Sequence, residues 1–200
     1  MMINCILAGV GGQGIVLASK LMAQAAMTNG MTVRTAETIG MAQRGGCVVS
    51  HVRMGKKIHS PLIPLQSADV VIGFEPAEAV RSLPYLKETG TVIVSRKAIK
   101  PVTDSLSDTD YNGDEMLKYL GSHCLHLIIV DTKAIFTTCG TTKVLNIALL
   151  GAAAAAGVLG VSLEDIESTI KEKLPQQFID MNLKALRAGA ITGLKETIVG

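Results

Sequence analysis

Ile6-Leu7-Ala8-Gly9-Val10-Gly11-Gly12-Gln13-Gly14-Ile15 is an apolar run, a glycine-dense turn and the first residue of a new amphipathic stretch. This order predicts a buried strand, a tight loop and a helix. Gly9 suits the tight turn, Gly11 a close backbone approach to a phosphate, and Gly14 close packing of helix on strand. Backbone N–H groups would converge at the positive end of the helix, which favours an anion. The spacing Gly9-x-Gly11-x-x-Gly14 fits a dinucleotide loop, but a purely structural turn between strand and helix selects the same glycines.

The alternation continues outward from this stretch. Ile3 to Ala8 is a first strand, Ile15 to Thr28 a helix ending near Asn29-Gly30, and Met31 to Thr35 a second strand, which together predict a βαβ unit. Short apolar or β-branched runs at Asp69 to Phe74, Thr91 to Ser95 and Leu125 to Asp131 predict three more strands, buried on both faces. Helices are expected at Glu75 to Leu83 and Asp114 to Leu120. The fold class is therefore α/β and Rossmann-like, a mostly parallel sheet flanked by helices with right-handed crossovers. Ligands should gather at the carboxyl ends of its strands.

Two stretches break the alternation. Cys47 to Met54, then Gly55-Lys56-Lys57 and Ile58 to Ser60, have the pattern of an inserted β-hairpin, an arm or flap. From Thr141 the chain turns helical to its end. A small-residue helix runs to about Leu159, another spans Ser162 to Leu174 with Ser162 capping and Asp165 three residues on, and a last one follows Pro175. Neither an internal repeat nor a second domain is evident, so residues 1–200 are expected to form a single domain. The stretch Gly151 to Gly157 permits very close approach, either within the domain or to a partner subunit.

Composition narrows the function classes. The chain has 200 residues, is 48% hydrophobic and carries only 18% charged residues. Its mean hydropathy of +0.38 is high for a monomer and implies apolar surface covered by another chain. A net charge of +2 and 3% aromatic residues argue against a nucleic-acid face. Met1-Met2-Ile3-Asn4 leads straight into the first strand without the features of a secretion signal, so a cytoplasmic location is expected. The run Ile147 to Val161 is too short and too rich in Ala and Gly for a membrane span. Cys5, Cys47, Cys124 and Cys139 are far apart, with no local template for zinc or an iron–sulfur cluster. No metal site is expected in this chain.

Glu37, just past the second strand, is either the acid that would hold a ribose hydroxyl or a solvated loop residue. The segment Gly40-Met41-Ala42-Gln43-Arg44-Gly45-Gly46 joins a guanidinium fork to two glycine amides that can form a small anion nest. The same residues would serve equally to turn the chain and pair Arg44 with a nearby acid. His51, His59, His123 and His126 show no pairing with an acid that would mark a catalytic base, and His51 and His59 are expected at a surface or interface.

Several of these motifs carry a family likeness. The loop Gly9 to Gly14, the run Thr35-Ala36-Glu37 continuing to Gly46, and Val49-Ser50-His51-Val52-Arg53 resemble the gamma-type domain of 2-oxoacid:ferredoxin oxidoreductases. Ser60-Pro61-Leu62-Ile63-Pro64, Ala68-Asp69, Phe74-Glu75-Pro76 with Glu78 and Arg81, and Leu83-Pro84-Tyr85-Leu86 resemble the indolepyruvate oxidoreductase branch, where this domain is the small beta subunit. The likeness is strongest through about Pro101. It thins in the helical tail, where Asn146 and Leu150-Gly151-Ala152 still fit, and Cys47 replaces a smaller residue.

The resemblance implies a large alpha subunit, in a heterodimer or α2β2 complex, that holds thiamine diphosphate with Mg2+ and [4Fe-4S] clusters. That complex would convert an arylpyruvate, coenzyme A and oxidised ferredoxin to aryl-acetyl-CoA, carbon dioxide and reduced ferredoxin. Asn112-Gly113-Asp114 lacks the ordered Gly-Asp-Gly and downstream Asn expected around thiamine diphosphate. The small subunit is therefore expected to be inactive alone, to hold no catalytic residue or cofactor, and to leave side-chain selectivity mainly to its partner. Gly9, Gly11, Gly12, Gln13, Gly14, Gln43, Arg44, Gly45 and Gly46 are expected to line one wall of the path to the partner's active site, meeting coenzyme A phosphates or the 2-oxoacid carboxylate. The competing classes are an NAD-dependent dehydrogenase acting alone and a non-catalytic nucleotide-binding scaffold.

Overall fold

A computed structural model describes residues 2–39, 45–99, 111–195 and 197–198. Its strands are β1 (Ile3–Val10), β2 (Thr32–Ile39), β3 (Cys47–Gly55), β4 (Ala68–Gly73), β5 (Leu86–Ser95), β6 (His126–Val130) and β7 (Thr197–Ile198). They form one sheet in the order β2-β3-β1-β4-β5-β6-β7. The neighbours β1, β4, β5 and β6 pair in parallel, as expected for strands joined by helical crossovers.

The helices are α1 (Ile15–Thr28), α2 (Pro76–Ser82), α3 (Asp114–His123), α4 (Thr132–Cys139), α5 (Leu145–Ala155), α6 (Leu163–Lys173) and α7 (Gln176–Lys195). They cover both faces of the sheet. Alternation along β1 sends Ile3, Cys5 and Leu7 into a core shared with α1 and α5–α7, while Ile6 and Ala8 meet Ala79 of α2 and Leu117 and Leu120 of α3. This is why the strands read as continuous apolar runs instead of alternating ones.

The first unit corrects the sequence reading. The expected β1–α1–β2 unit forms with another strand inside it, because β3 lies between β1 and β2 and runs antiparallel to both. The Cys47 to Met54 strand is thus an interior member of the sheet instead of one half of a projecting arm, and Ile58–Ser60 is not a strand. The reason is burial: Val48, Ser50, Val52 and Met54 are all buried, which an arm standing in solvent would not allow. α4, between β6 and α5, was not foreseen. Its Asp131 cap, which accepts from Lys133 N at 2.9 Å, stood at the expected end of a strand.

His51 is likewise corrected. It is buried, not at a surface: its Nδ1 accepts from Ile63 N at 3.2 Å, and its ring meets Tyr85 edge to face at 5.4 Å. Burial lowers its pKa from the ordinary 6.5. A neutral imidazole is therefore favoured in the folded chain, so its contribution to stability is complete above about pH 6.5 and is lost as pH falls through the depressed folded value. The denaturation midpoint should fall between pH 7.5 and 5.5, by a smaller amount in His51→Asn. Parallel pH profiles for the two proteins would refute the assignment.

The capping box at α6 forms as expected, with Ser162 Oγ accepting from Asp165 N at 3.1 Å and Asp165 Oδ2 accepting from Ser162 N at 2.7 Å.

Candidate functional site

β1 leads into α1 on one face of the sheet and β4 leads into α2 on the other, so the order reverses between neighbouring strands. Such a reversal leaves a crevice at the carboxyl ends of the strands. A cavity of about 670 Å³ lies there, lined by the glycine loop, Gly45, Cys47, the start of α2, Lys97, Tyr111, Phe136 and Asn146.

The two glycine segments singled out in the sequence do meet. Gly11 N donates to Gly46 O at 2.9 Å, and Gly45 takes a positive φ of 79°. Gln43 and Arg44 lie outside the described residues. Gln13 acts as a brace: its Oε1 accepts from Val10 N at 2.6 Å and its Nε2 donates to Phe74 O at 2.9 Å. This ties the end of β1 to the end of β4 and commits both ends of the amide within the protein.

The glycines serve different ends from those expected of a dinucleotide loop. A Cβ on Gly9 would stand 2.6 Å from Phe74 Cβ, so Gly9 permits the chain after β4 to cross beside β1. Gly14 is the cap of α1 in the left-handed region, with φ 78°. A Cβ there would press on Asn146 of α5, not on the strand. Gly11 spends its N–H on Gly46. The donors remaining at this loop for an anion are Gly12 N, Gly14 N and those of the first turn of α1, a helix with neither a side-chain cap nor an acidic residue in that turn.

The opposite wall comes from α2. Glu75, 2% exposed, caps this helix by accepting from Ala77 N at 2.8 Å and Glu78 N at 3.2 Å. Its other oxygen accepts from the Tyr111 hydroxyl. Burial, reinforced by that carboxylate, raises the pKa of the phenol, which holds its proton as a donor. Glu78 pairs with Arg81 one turn on. The Cys47 thiol beside Glu78 is pushed up to about 11 by burial first and by the carboxylate second, so it is protonated and unreactive.

Glu75, Glu78 and Arg81 entered the sequence reading only through a family likeness, without a role. A local signal existed in Glu75-Pro76, an acidic cap followed by Pro at the first helical position. Lys97 and Tyr111 come from the connection after β5 and Phe136 from α4 after β6, and none of them had such a signal. Glu37 sits on β2 at the sheet edge, with Ser19 Oγ donating to it at 3.4 Å. With β3 between β2 and β1, that edge is about 10 Å from the glycine-loop strand, so Glu37 is not placed to hold a ribose beside the loop.

Residues 4–191 match the protein family described as pyruvate ferredoxin/flavodoxin oxidoreductase. Indolepyruvate oxidoreductase subunit IorB of Archaeoglobus fulgidus is 38% identical over 197 residues, 96% of this chain and 98% of that one. The crystal structure of a keto/oxoacid ferredoxin oxidoreductase gamma subunit from Geobacter sulfurreducens PCA covers 99% of both chains with a TM-score of 0.77 at 22% identity. A 2-oxoglutarate:ferredoxin oxidoreductase from Magnetococcus marinus, solved with 2-oxoglutarate, coenzyme A and succinyl-CoA bound, repeats the fold with a TM-score of 0.71 at 16% identity. There, 96% of this chain superposes on 31% of a much longer one.

Proposed function

The chain belongs to the pyruvate ferredoxin/flavodoxin oxidoreductase family, and from that premise we infer that it is the gamma-type small subunit of a ferredoxin-dependent oxidoreductase of indolepyruvate and related arylpyruvates. The observation that carries this is likeness to an indolepyruvate oxidoreductase subunit at 38% identity along almost the whole of both chains. The complex would oxidatively decarboxylate an arylpyruvate to aryl-acetyl-CoA and reduce ferredoxin. Residues 1–200 act in it as one domain, in the cytoplasm. Among the described residues no helix is long and apolar enough to cross a membrane.

The cysteines do not fit an iron–sulfur ligand set. Cys5 and Cys124 belong to cores on opposite faces of the sheet, and Cys47 stands at the cavity. Thiamine diphosphate, Mg2+ and the [4Fe-4S] clusters are therefore assigned to a large alpha subunit, which supplies the electron sink. This chain's own part is to bind and orient. The first turn of α1, Gly12, Gly14 and Gly45 are proposed to present donors to an anion, either a coenzyme A phosphate or the 2-oxoacid carboxylate, with Arg44 next to Gly45 in sequence as the proposed guanidinium partner. Gly9, Gly11, Gln13 and Gly46 hold that wall in shape. The interposed β3 disfavours an NAD-dependent dehydrogenase, because it moves the strand bearing Glu37 away from the glycine loop.

Two measurements test this reading. Co-expressed with its large subunit, the chain should support arylpyruvate- and coenzyme A-dependent ferredoxin reduction, while the chain alone supports none. Turnover by the isolated chain would overturn it. In the assembled enzyme Arg44→Ala should raise the KM for coenzyme A or the oxoacid about tenfold, the scale of one charge-assisted hydrogen bond. Unchanged constants in an intact complex would remove Arg44 from the wall.

A further inference from the structure

The connection from β3 to β4 carries Ser60-Pro61-Leu62-Ile63-Pro64-Leu65 at the amino ends of the parallel strands. β1 spans eight residues, which sets this end about 25 Å from the glycine loop. The loop is braced along its length. Ile58 and Ile63 are buried, while Leu62 and Leu65 are 57% and 63% exposed. Arg53 Nη1 donates to Ser60 O at 3.0 Å and to Leu62 O at 3.2 Å, and Gln66 N and Ser67 N donate to Pro84 O and Tyr85 O, each at 2.9 Å. Lys57 and Gln66, with φ of 60° and 55°, are the non-glycine residues in the left-handed region among the described residues, and they bracket this loop. Such backbone persists where its surroundings over-determine it, and it clusters in segments that act on something else.

A rigid loop that holds leucines in water is suited to docking, because little ordering remains to be done on contact. Met2 joins the apolar surface, with its Sδ 3.5 Å from Arg53 Nη2. Charge decides what kind of partner fits. Lys56, Lys57 and His59 are exposed where the chain enters the loop, and no acidic residue occurs from Arg53 to Ala68. Asp69, the next acid, is paired with Lys87. A second copy of this chain is therefore a poor occupant, since a symmetric contact through this surface would bring the lysines of both copies together. An apolar centre with a cationic rim fits a different polypeptide, apolar at its centre and acidic around it.

We propose that this loop docks into an acid-rimmed apolar groove on the large subunit and anchors the small subunit at the end of the sheet away from the cavity. Leu62 and Leu65 fill the groove, and Lys56 and Lys57 steer the encounter. The proposal rests on the reading of this chain as a small subunit and on no ligand at the cavity.

Titrating the full-length small subunit into its large subunit tests this. The double variant Leu62→Asp, Leu65→Asp should bind about a hundredfold more weakly, the scale of losing central anchor residues, while the free chain keeps its denaturation midpoint because both side chains face water. Ile191→Asp, which alters an equally exposed apolar residue on α7, should bind as the wild type does. Lys56→Glu with Lys57→Glu should slow association about tenfold at low salt, and the difference should close at high salt. If the aspartate pair fails to fold, Leu62→Ala with Leu65→Ala takes its place, with an expected loss of about tenfold. Wild-type affinity in the leucine variants would overturn the proposal, as would an equal loss in Ile191→Asp. A dimer of the free chain that the leucine variants disperse would assign the loop to a second copy and overturn it too. Failure of the oxidoreductase reading would be seen separately, as an assembled complex that reduces no ferredoxin.

Discussion

Replacing Gly151 by valine is expected to leave no folded protein at ambient temperature, and alanine at the same position to cost about 3–5 kcal/mol. A Cβ on Gly151 would sit on the backbone carbonyl of Leu186, and one on Gly189 would sit on the backbone carbonyl of Ala148. α5 and α7 therefore touch backbone to backbone at two reciprocal points. Neither obstacle is a side chain that can rotate away, so the helices must separate. Separation would open a core in which Ile147, Ala148, Leu149, Leu150, Ala152, Ala153, Ala185 and Leu186 are fully buried. Against a total stability of about 5–15 kcal/mol, the alanine variant loses a large share. Urea denaturation of Gly151→Ala and Gly189→Ala checks this, and a wild-type midpoint in either would show that the helices can part at little cost.

The same contact shows what could be read in the sequence. The stretch Gly151 to Gly157 plainly permitted close approach, and packing within the domain is what occurs. That the neighbour is α7 was not legible, because Gly189 lies in an ordinary amphipathic pattern with no mark of a partner 38 residues earlier. The glycine loop, α1 and the four parallel strands were legible because each is set by local periodicity. The position of β3 was not. Whether an alternating strand projects or inserts depends on pairing with β1 and β2, a contact between segments distant in sequence. Within the site, Gly9 to Gly14 and Gly45–Gly46 were recognised and do meet, but the use of Gln13 as an internal brace depends on Phe74, 61 residues away. That Glu78 and Asn146 line the same cavity is visible only once the fold is known.

Glu75→Ala is expected to destabilise the chain by about 3 kcal/mol and to take the α2 wall of the cavity with it. The carboxylate caps two backbone N–H groups and receives the Tyr111 hydroxyl. Removing it strands three donors at a position 2% exposed, and a lost cap alone costs about 1 kcal/mol, with charged hydrogen bonds adding more. Glu75→Gln keeps one amide oxygen that can accept from the helix, so its cost should be smaller, about 1 kcal/mol. Tyr111→Phe removes only the hydroxyl. Because that hydroxyl and the carboxylate satisfy each other, the Glu75→Gln and Tyr111→Phe effects should not add, and a double-mutant cycle should return a measurable coupling. α2 spans only Pro76–Ser82, so fraying at its first turn would move Glu78 and Arg81 together. Ligand affinity at the cavity should accordingly fall further in Glu75→Ala than in Tyr111→Phe. If all three variants keep the wild-type midpoint, Glu75 does not hold α2 in place, and the wall that carries Glu78 must owe its position to packing against Ala79 and the sheet.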